Sequence, residues 1–384
     1  MPQPAHDEPD PPPKIRWTAD GKTHEARWRS ESGNPPPQHV ITADDRLTAN
    51  TAYRLANEGT ALLWTGDFNN MRQLLLAMAR RADRPPRNPP PPPTSPSEAF
   101  QRHRQVQSQR ARTLGMLLLP LDADHRIPLR RAPDVHQACT EAYGPADGPS
   151  VTSLRELLGL IGAHEWRKAG VEIPALGGRI HAHYGVFSPV RGEYVDLVAR
   201  APLPTRALAL DIGTGTGVLA GVLARRGVAR IIATDQDARA ITCARDNITR
   251  LGLTDRVTLL MTDVFPDGEA PLIVCNPPWI PARPSSPLEH ALYDPDSRML
   301  RGFLGQLAAH LTANGEGWLI LSDIAEHLGL RTRDDLLTAI AAADLQIIGR
   351  LDTRPHHPRV RDTSDPLHAA RAAEVTSLWR LARA

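Results

Sequence analysis

Ala207-Leu208-Ala209-Leu210-Asp211-Ile212-Gly213-Thr214-Gly215-Thr216-Gly217-Val218-Leu219 reads as a short apolar strand, a glycine-rich turn and the opening of a helix. Glycines at alternate positions cannot extend the strand. They admit positive φ and let a ligand come close to the main chain. The helix closes near Arg225-Arg226-Gly227, with arginines in its last turn and glycine beyond it. Outward from this unit, short apolar runs recur at Arg230–Thr234, Val257–Met261, Leu272–Cys275, Gly317–Leu321, Leu345–Leu351 and Val375–Leu381. Amphipathic stretches separate all but the last pair. The alternation predicts a doubly wound α/β domain with a mostly parallel sheet. The last run follows a long excursion, Asp352 to Glu374, which suits an antiparallel strand.

Each early strand ends in polar chemistry. Asp211 closes the first, Asp235 the second, and Asp263-Val264 follow the third. Open α/β sheets bind ligands at such carboxyl ends, and a carboxylate at Asp235 can accept both hydroxyls of a ribose. Asp263 can meet an adenine amine, with Val264 against the ring. The turn is Gly-x-Gly-x-Gly, not the Gly-x-Gly-x-x-Gly of dinucleotide enzymes. Asp211 at the strand end would repel a pyrophosphate, and it suits the cationic end of S-adenosylmethionine. Both features weigh against an NAD-dependent oxidoreductase.

The fourth strand ends in Asn276-Pro277-Pro278-Trp279. Two prolines fix φ at successive residues and supply no N–H, leaving nearby carbonyls free to accept. With the Asn oxygen and a flat indole, the corner suits a planar group bearing an –NH2. Taken alone it is equally a proline turn.

On these motifs residues 180–384 resemble the class I S-adenosylmethionine-dependent methyltransferases. More narrowly they resemble the small-domain branch with an Asn-Pro-Pro-aromatic motif. That branch includes the release-factor and ribosomal-protein glutamine methyltransferases and the guanine-amine methyltransferases of ribosomal RNA. Asp211 to Gly217 is nearest the glutamine enzymes, while Tyr184-Gly185-Val186-Phe187-Ser188 is similar to the segment before the first strand of the RNA enzymes. Pro189-Val190-Arg191-Gly192-Glu193 departs from the Pro-Arg-Pro-Glu-Thr-Glu of the glutamine group, and Trp279 stands where Tyr is usual. The resemblance implies a Rossmann-like seven-stranded methyltransferase sheet whose last strand is antiparallel, behind an N-terminal mixed α+β domain. It implies S-adenosyl-L-methionine as cofactor, held by Gly213, Thr214, Gly215, Thr216, Gly217, Asp235, Val264 and Asn276, to which the strand-end reading adds Asp211 and Asp263. It places Asn276, Pro277, Pro278 and Trp279 against the substrate, with Trp279 stacked on it. The substrate it implies is macromolecular, a protein glutamine or an RNA or DNA base. A protein that binds the cofactor without catalysis is the remaining alternative, and the intact Asn-Pro-Pro-Trp corner weighs against it.

The rest of the chain divides, on sequence, into a disordered proline-rich tail (1–14), an α+β region (15–84), a proline-rich linker (85–97) and a mainly helical, substrate-recognising region (98–177), before the methyltransferase domain (178–384). Asp20-Gly21 between alternating runs signals a hairpin. Met71, Leu74, Leu75 and Met78 share a helical face. The basic stretch Gln101 to Arg112 has little apolar face and reads as a solvated helix, with nucleic-acid binding left open. Net charge is +2, so composition gives no global case for nucleic acid or membrane. Lysine occurs only at Lys14, Lys22 and Lys168; the other basic residues are arginine. Cys139, Cys243 and Cys275 lack paired spacing, which argues against disulfides and zinc. With no apolar span and a polar, acidic N-terminus, the chain is expected to be cytoplasmic. His181 and His183 alternate but lack a third metal ligand nearby. Glu289, His290, Tyr293 and Asp294 are candidates for the substrate mouth, and Arg354 to Arg359 for a solvated loop.

Overall fold

The computed structural model describes residues 12–86, 88, 90–284, 289, 291–356 and 362–384. The chain forms two compact units, residues 1–90 with 106–164, and residues 91–105 with 165–384.

The first unit contains β1 (Lys14–Ala19), β2 (Lys22–Trp28), β3 (His39–Ala43), α1 (Ala49–Asn57), β4 (Thr60–Trp64), α2 (Phe68–Ala82) and the later part of α3 (Pro96–Gly115). β5 (Leu117–Leu121), α4 (His136–Tyr143), β6 (Ser150–Ser153) and the earlier part of α5 (Leu154–Ala169) follow. Among the described residues these strands make one six-stranded sheet in the order β1-β2-β6-β5-β4-β3. Asp20 and Gly21 have φ of 49° and 71°, the paired positive values of a two-residue hairpin turn. Met71, Leu74, Leu75 and Met78 are buried on one face of α2. The Asp67 carboxylate caps that helix at the Asn69 and Asn70 amides. The guanidinium of Arg131, with those amides, holds Asp67 down to about 2.

The division expected at the proline tract is not the one observed. β5 and β6, from the stretch read as mainly helical, complete the sheet begun by β1–β4. Leu117-Leu118-Leu119-Pro120-Leu121 is apolar on both faces, so it is stable only between paired neighbours. A proline linker marks extended chain; it does not say whether the strands on either side pair.

The second unit adds a small pair, β7 (Val171–Ile173) and β8 (Gly178–Ile180), and then α6 (Glu193–Arg200). Its main run is β9 (Leu208–Ile212), α7 (Val218–Arg225), β10 (Arg230–Asp235), α8 (Ala238–Arg250), β11 (Val257–Met261) and β12 (Ala270–Cys275). After these come α9 (Arg298–His310), β13 (Leu311–Ser322), α10 (Ile324–His327), α11 (Arg333–Ala342), β14 (Leu345–Thr353), α12 (His368–Ala373) and β15 (Thr376–Arg383). Among the described residues the large sheet has seven strands in the order β11-β10-β9-β12-β13-β15-β14. The pairs from β11 through β13 are parallel, and β15 runs antiparallel to both β13 and β14. Strand order reverses between β9 and β12, which leaves a crevice at their carboxyl ends. Helices cover both faces, so β9 and β12 are buried along most of their length.

Gly217 opens α7 with φ of +80°, and a Cβ there would lie 3.3 Å from Ala244 Cα on α8. Gly217→Ala is therefore expected to destabilise the fold by about 1–2 kcal/mol, from left-handed strain and helix crowding. Urea unfolding checks this, and an unchanged midpoint would contradict it. Among the described residues no helix is long and apolar enough to cross a membrane, and Cys139, Cys243 and Cys275 are free and buried.

Candidate active site

A cavity of about 1450 Å³ opens at the carboxyl ends of β9, β10 and β12. Gly213, Thr214, Gly215 and Thr216 line it from the turn after β9, Asp235 from the end of β10, and Asp263 and Val264 from beyond β11. Asn276, Pro277, Pro278 and Trp279 line it from the end of β12. The topology thus brings together residues that lie far apart in sequence, because parallel strands present all their carboxyl ends on one side.

The turn is built for close approach. Gly213 and Gly215 have φ of +70° and +54°, and a Cβ on Gly215 would meet nothing within 4 Å. The Gly215 amide donates to Asp235 Oδ2 (2.9 Å), and the Asp237 amide donates to Asp235 Oδ1 (3.0 Å). The Gln236 amide also bonds this carboxylate, whose four acceptor positions still leave room for a ligand donor. Burial raises the Asp235 carboxyl above its ordinary range, partly offset by those amides.

Two of the residues expected at the cofactor, Asp211 and Gly217, do not line the cavity. Asp211 is 1% exposed and lies behind the wall, not on it. Its Oδ2 accepts from Thr214 Oγ1 (2.7 Å) and the Ala220 amide (3.0 Å), so it braces the turn from within. The reason is local: Asp211 stands one residue before the end of β9 with its carboxylate turned onto Thr214 and Ala220, while Ile212, the last strand residue, reaches the lining. Gly217 is also absent from the lining and serves the packing of α7 on α8.

Burial pushes the Asp211 carboxyl up to about 6. A carboxyl whose folded value exceeds its unfolded one binds its proton more tightly when folded. Stability from this group is therefore present below about pH 4 and lost as pH rises to about 6. Asp211→Asn keeps an acceptor without the charge. Relative to it, the wild type is expected to lose up to about 3 kcal/mol across that window in denaturant titrations. A difference that does not vary with pH would overturn the assignment.

Asn276 Oδ1 accepts from the Trp279 indole Nε1 (2.9 Å). The Arg191 guanidinium lies over the Trp279 ring, 5.6 Å from its centroid. That ring, expected to lie flat on substrate, thus has a cation over one face. Asp263 is exposed and paired with Arg298 (2.8 Å), so a ligand amine would compete with that guanidinium. Val264 and Met299 give the cavity apolar wall.

Other candidates are distributed differently. His181 Nδ1 meets the Arg167 carbonyl (2.7 Å) and His183 Nε2 meets Asp246 (2.9 Å). Among the described residues no cluster of three or more His, Cys, Asp or Glu could hold a metal. Asp294 is buried and caps α9 through the Met299 and Leu300 amides. Glu289 and Tyr293 line the cavity near Arg104, whose guanidinium sits 4.4 Å from the Tyr293 ring centroid. His290 and residues 357–361 lie outside the described residues, so the expected solvated loop is described only at 354–356. In the basic helix Arg102 pairs with Glu98, Arg104 donates to the Arg283 carbonyl, and Arg110 pairs with Asp83.

Sequence reading missed Phe100, His103, Arg191 and Glu374, all of which line the cavity. Phe100 was the legible one, a lone aromatic in a polar helix, and it is 4% exposed.

S-adenosyl-L-methionine fits this lining in its donor set. A Cβ-free backbone at Gly215, a carboxylate with free lone pairs at Asp235 and the apolar Val264 suit a nucleoside, though Asp211 makes no direct contact with the cavity.

The family described as methyltransferase small domain matches residues 177–331. Release factor glutamine methyltransferase from Cereibacter sphaeroides is 33% identical over 175 residues, covering 43% of this chain and 63% of that protein. Ribosomal protein L11 methyltransferase from Shewanella amazonensis is 33% identical, covering 28% of this chain and 38% of that protein. A tRNA1(Val) (adenine(37)-N6)-methyltransferase from Shewanella loihica is 30% identical, covering 50% of this chain and 81% of that protein. The chain thus spans less than two-thirds of the length of the first two.

Proposed function

This chain belongs to the methyltransferase small-domain family, and from that premise we propose that it transfers a methyl group from S-adenosyl-L-methionine to a planar nitrogen of a macromolecule. The observation that carries the reading is a shared cavity. The glycine turn with Asp235 lines it, and so does the Asn276-Pro277-Pro278-Trp279 corner. When bound, S-adenosyl-L-methionine supplies a methyl group on a sulfonium, already activated toward a lone pair.

What the protein adds is orientation and charge. Gly213, Thr214, Gly215 and Thr216 hold the cofactor through backbone approach, Asp235 through its carboxylate and Val264 through contact. The nitrogen of an amide or aromatic amine is a poor nucleophile because its lone pair is delocalised. Asn276 Oδ1 keeps one lone pair beyond its bond to Trp279, and with the Pro277 carbonyl it accepts both substrate N–H groups. Those bonds turn the lone pair toward the methyl and strengthen as positive charge builds on nitrogen, so they favour the transition state. The proton leaves after transfer, so no dedicated base is needed.

Two of the relatives are named for a glutamine and for the N6 of an adenine. Both groups fit the acceptor pair, and we keep a protein glutamine and a nucleobase amine as the two substrate classes, in the cytoplasm. The test incubates the protein with tritiated S-adenosylmethionine and a lysate lacking its own copy, followed by RNase, DNase or protease. Label released by one treatment and retained through the others names the class. No macromolecular label at all would sink the proposal.

A further inference from the structure

We propose that Trp279 is a positioning residue whose indole N–H locks the side-chain amide of Asn276, so that Oδ1 and not Nδ2 faces the substrate; this rests on the methyl-transfer reading above. An Asn amide has two ends of nearly the same shape and opposite polarity. Only the oxygen end accepts. Turned by half a rotation, Asn276 would set its own N–H2 against the substrate's, and donor would face donor.

Indole Nε1 is a donor only, so it can bond Oδ1 and cannot bond Nδ2. At 2.9 Å the Trp279–Asn276 contact therefore fixes the amide in its accepting orientation. The second Oδ1 lone pair stays free. A tyrosine hydroxyl, which donates or accepts, could satisfy either end and would leave the orientation unspecified. That gives a physical meaning to tryptophan at this position.

The indole is itself held. The Arg191 guanidinium lies over its ring at 5.6 Å. That guanidinium pairs with Glu193 (2.9 Å) and Glu374 (3.1 Å), and Ser322 Oγ donates to Glu374 Oε1 (2.6 Å). Glu193 and Glu374 are 8% and 3% exposed, so their pairing with Arg191 is little screened by water. Trp279 also packs against three separate apolar clusters. A side chain gripped this way sets an angle; it does not swing to meet a ligand.

Two measurements on the full chain test the lock. In the S-adenosylhomocysteine complex, the Trp279 indole resonance (identified by its loss in Trp279→Phe) is expected to be shifted downfield and slow to exchange. Asn276→Ala should abolish both signatures while the complex still forms. Second, Trp279→Phe should lower the rate at saturating cofactor roughly 10- to 100-fold with S-adenosylhomocysteine affinity unchanged. In an Asn276→Asp background, where both ends accept and no lock is needed, the same change should cost less than about twofold. An indole resonance indifferent to Asn276→Ala, or an equal rate loss in both backgrounds, overturns the lock. Failure of the methyl-transfer reading is distinguishable, since the wild type would then label nothing while the indole resonance still reports on Asn276.

Discussion

Asn276→Ala is expected to lower methyl transfer by roughly 10²–10³-fold, the scale lost when one preorganised hydrogen-bonding group is removed from a transition state. The side chain sits at the end of β12 on the cavity wall, and its Oδ1 keeps a lone pair beyond the bond to Trp279. Alanine removes an acceptor whose bond strengthens as the substrate nitrogen becomes cationic, so the loss falls on turnover. Cofactor affinity should change far less, because the glycine turn and Asp235 are untouched. Single-turnover transfer with tritiated cofactor, paired with calorimetry of S-adenosylhomocysteine, reads the two effects separately. Wild-type turnover in the variant would rule out the acceptor mechanism.

Asp235→Ala is expected to weaken S-adenosylhomocysteine binding by about 100-fold or more, with two charge-assisted bonds each contributing about 1.5–3 kcal/mol. The same change frees the Gly215 and Asp237 amides that the carboxylate now accepts from. Asp235→Asn is the useful companion, because it can still brace one amide while losing the charge. Wild-type affinity should also fall with acid. The Asp235 carboxyl is raised above its ordinary range, so lowering the pH protonates it earlier than an exposed aspartate and removes the ionised acceptor. Affinity that stays constant from neutral to mildly acid pH, or unchanged binding by Asp235→Ala, would remove Asp235 from the cofactor's contacts.

The α/β class and the polar residues that follow successive strands were legible in the chain. A glycine turn after four apolar residues, or two prolines after four more, is decided by neighbours a few residues away. The observed cavity gathers Gly213, Asp235, Val264 and Asn276 because parallel strands align their carboxyl ends, a consequence of topology that alternation already implies. The N-terminal region was less legible. Its hairpin and α2 are local and were read, but the pairing of β5 and β6 with strands before the proline tract depends on contacts distant in sequence.

By itself, the sequence determined which residues can do chemistry and in what order the strands deliver them. Only the tertiary structure decided which of them face the cavity. Asp211, one residue short of the end of β9, and Asp235, the last residue of adjacent β10, carry the same side chain, yet one is sealed behind the turn and the other lines the wall. Nor does any local pattern pair Arg191 with Glu374, or reveal that Trp279 spends its one donor on Asn276. The physical reason is range. Backbone preference and periodicity act over one or two turns, whereas burial and the direction of a side chain's single hydrogen bond are fixed by whatever the rest of the fold packs against it.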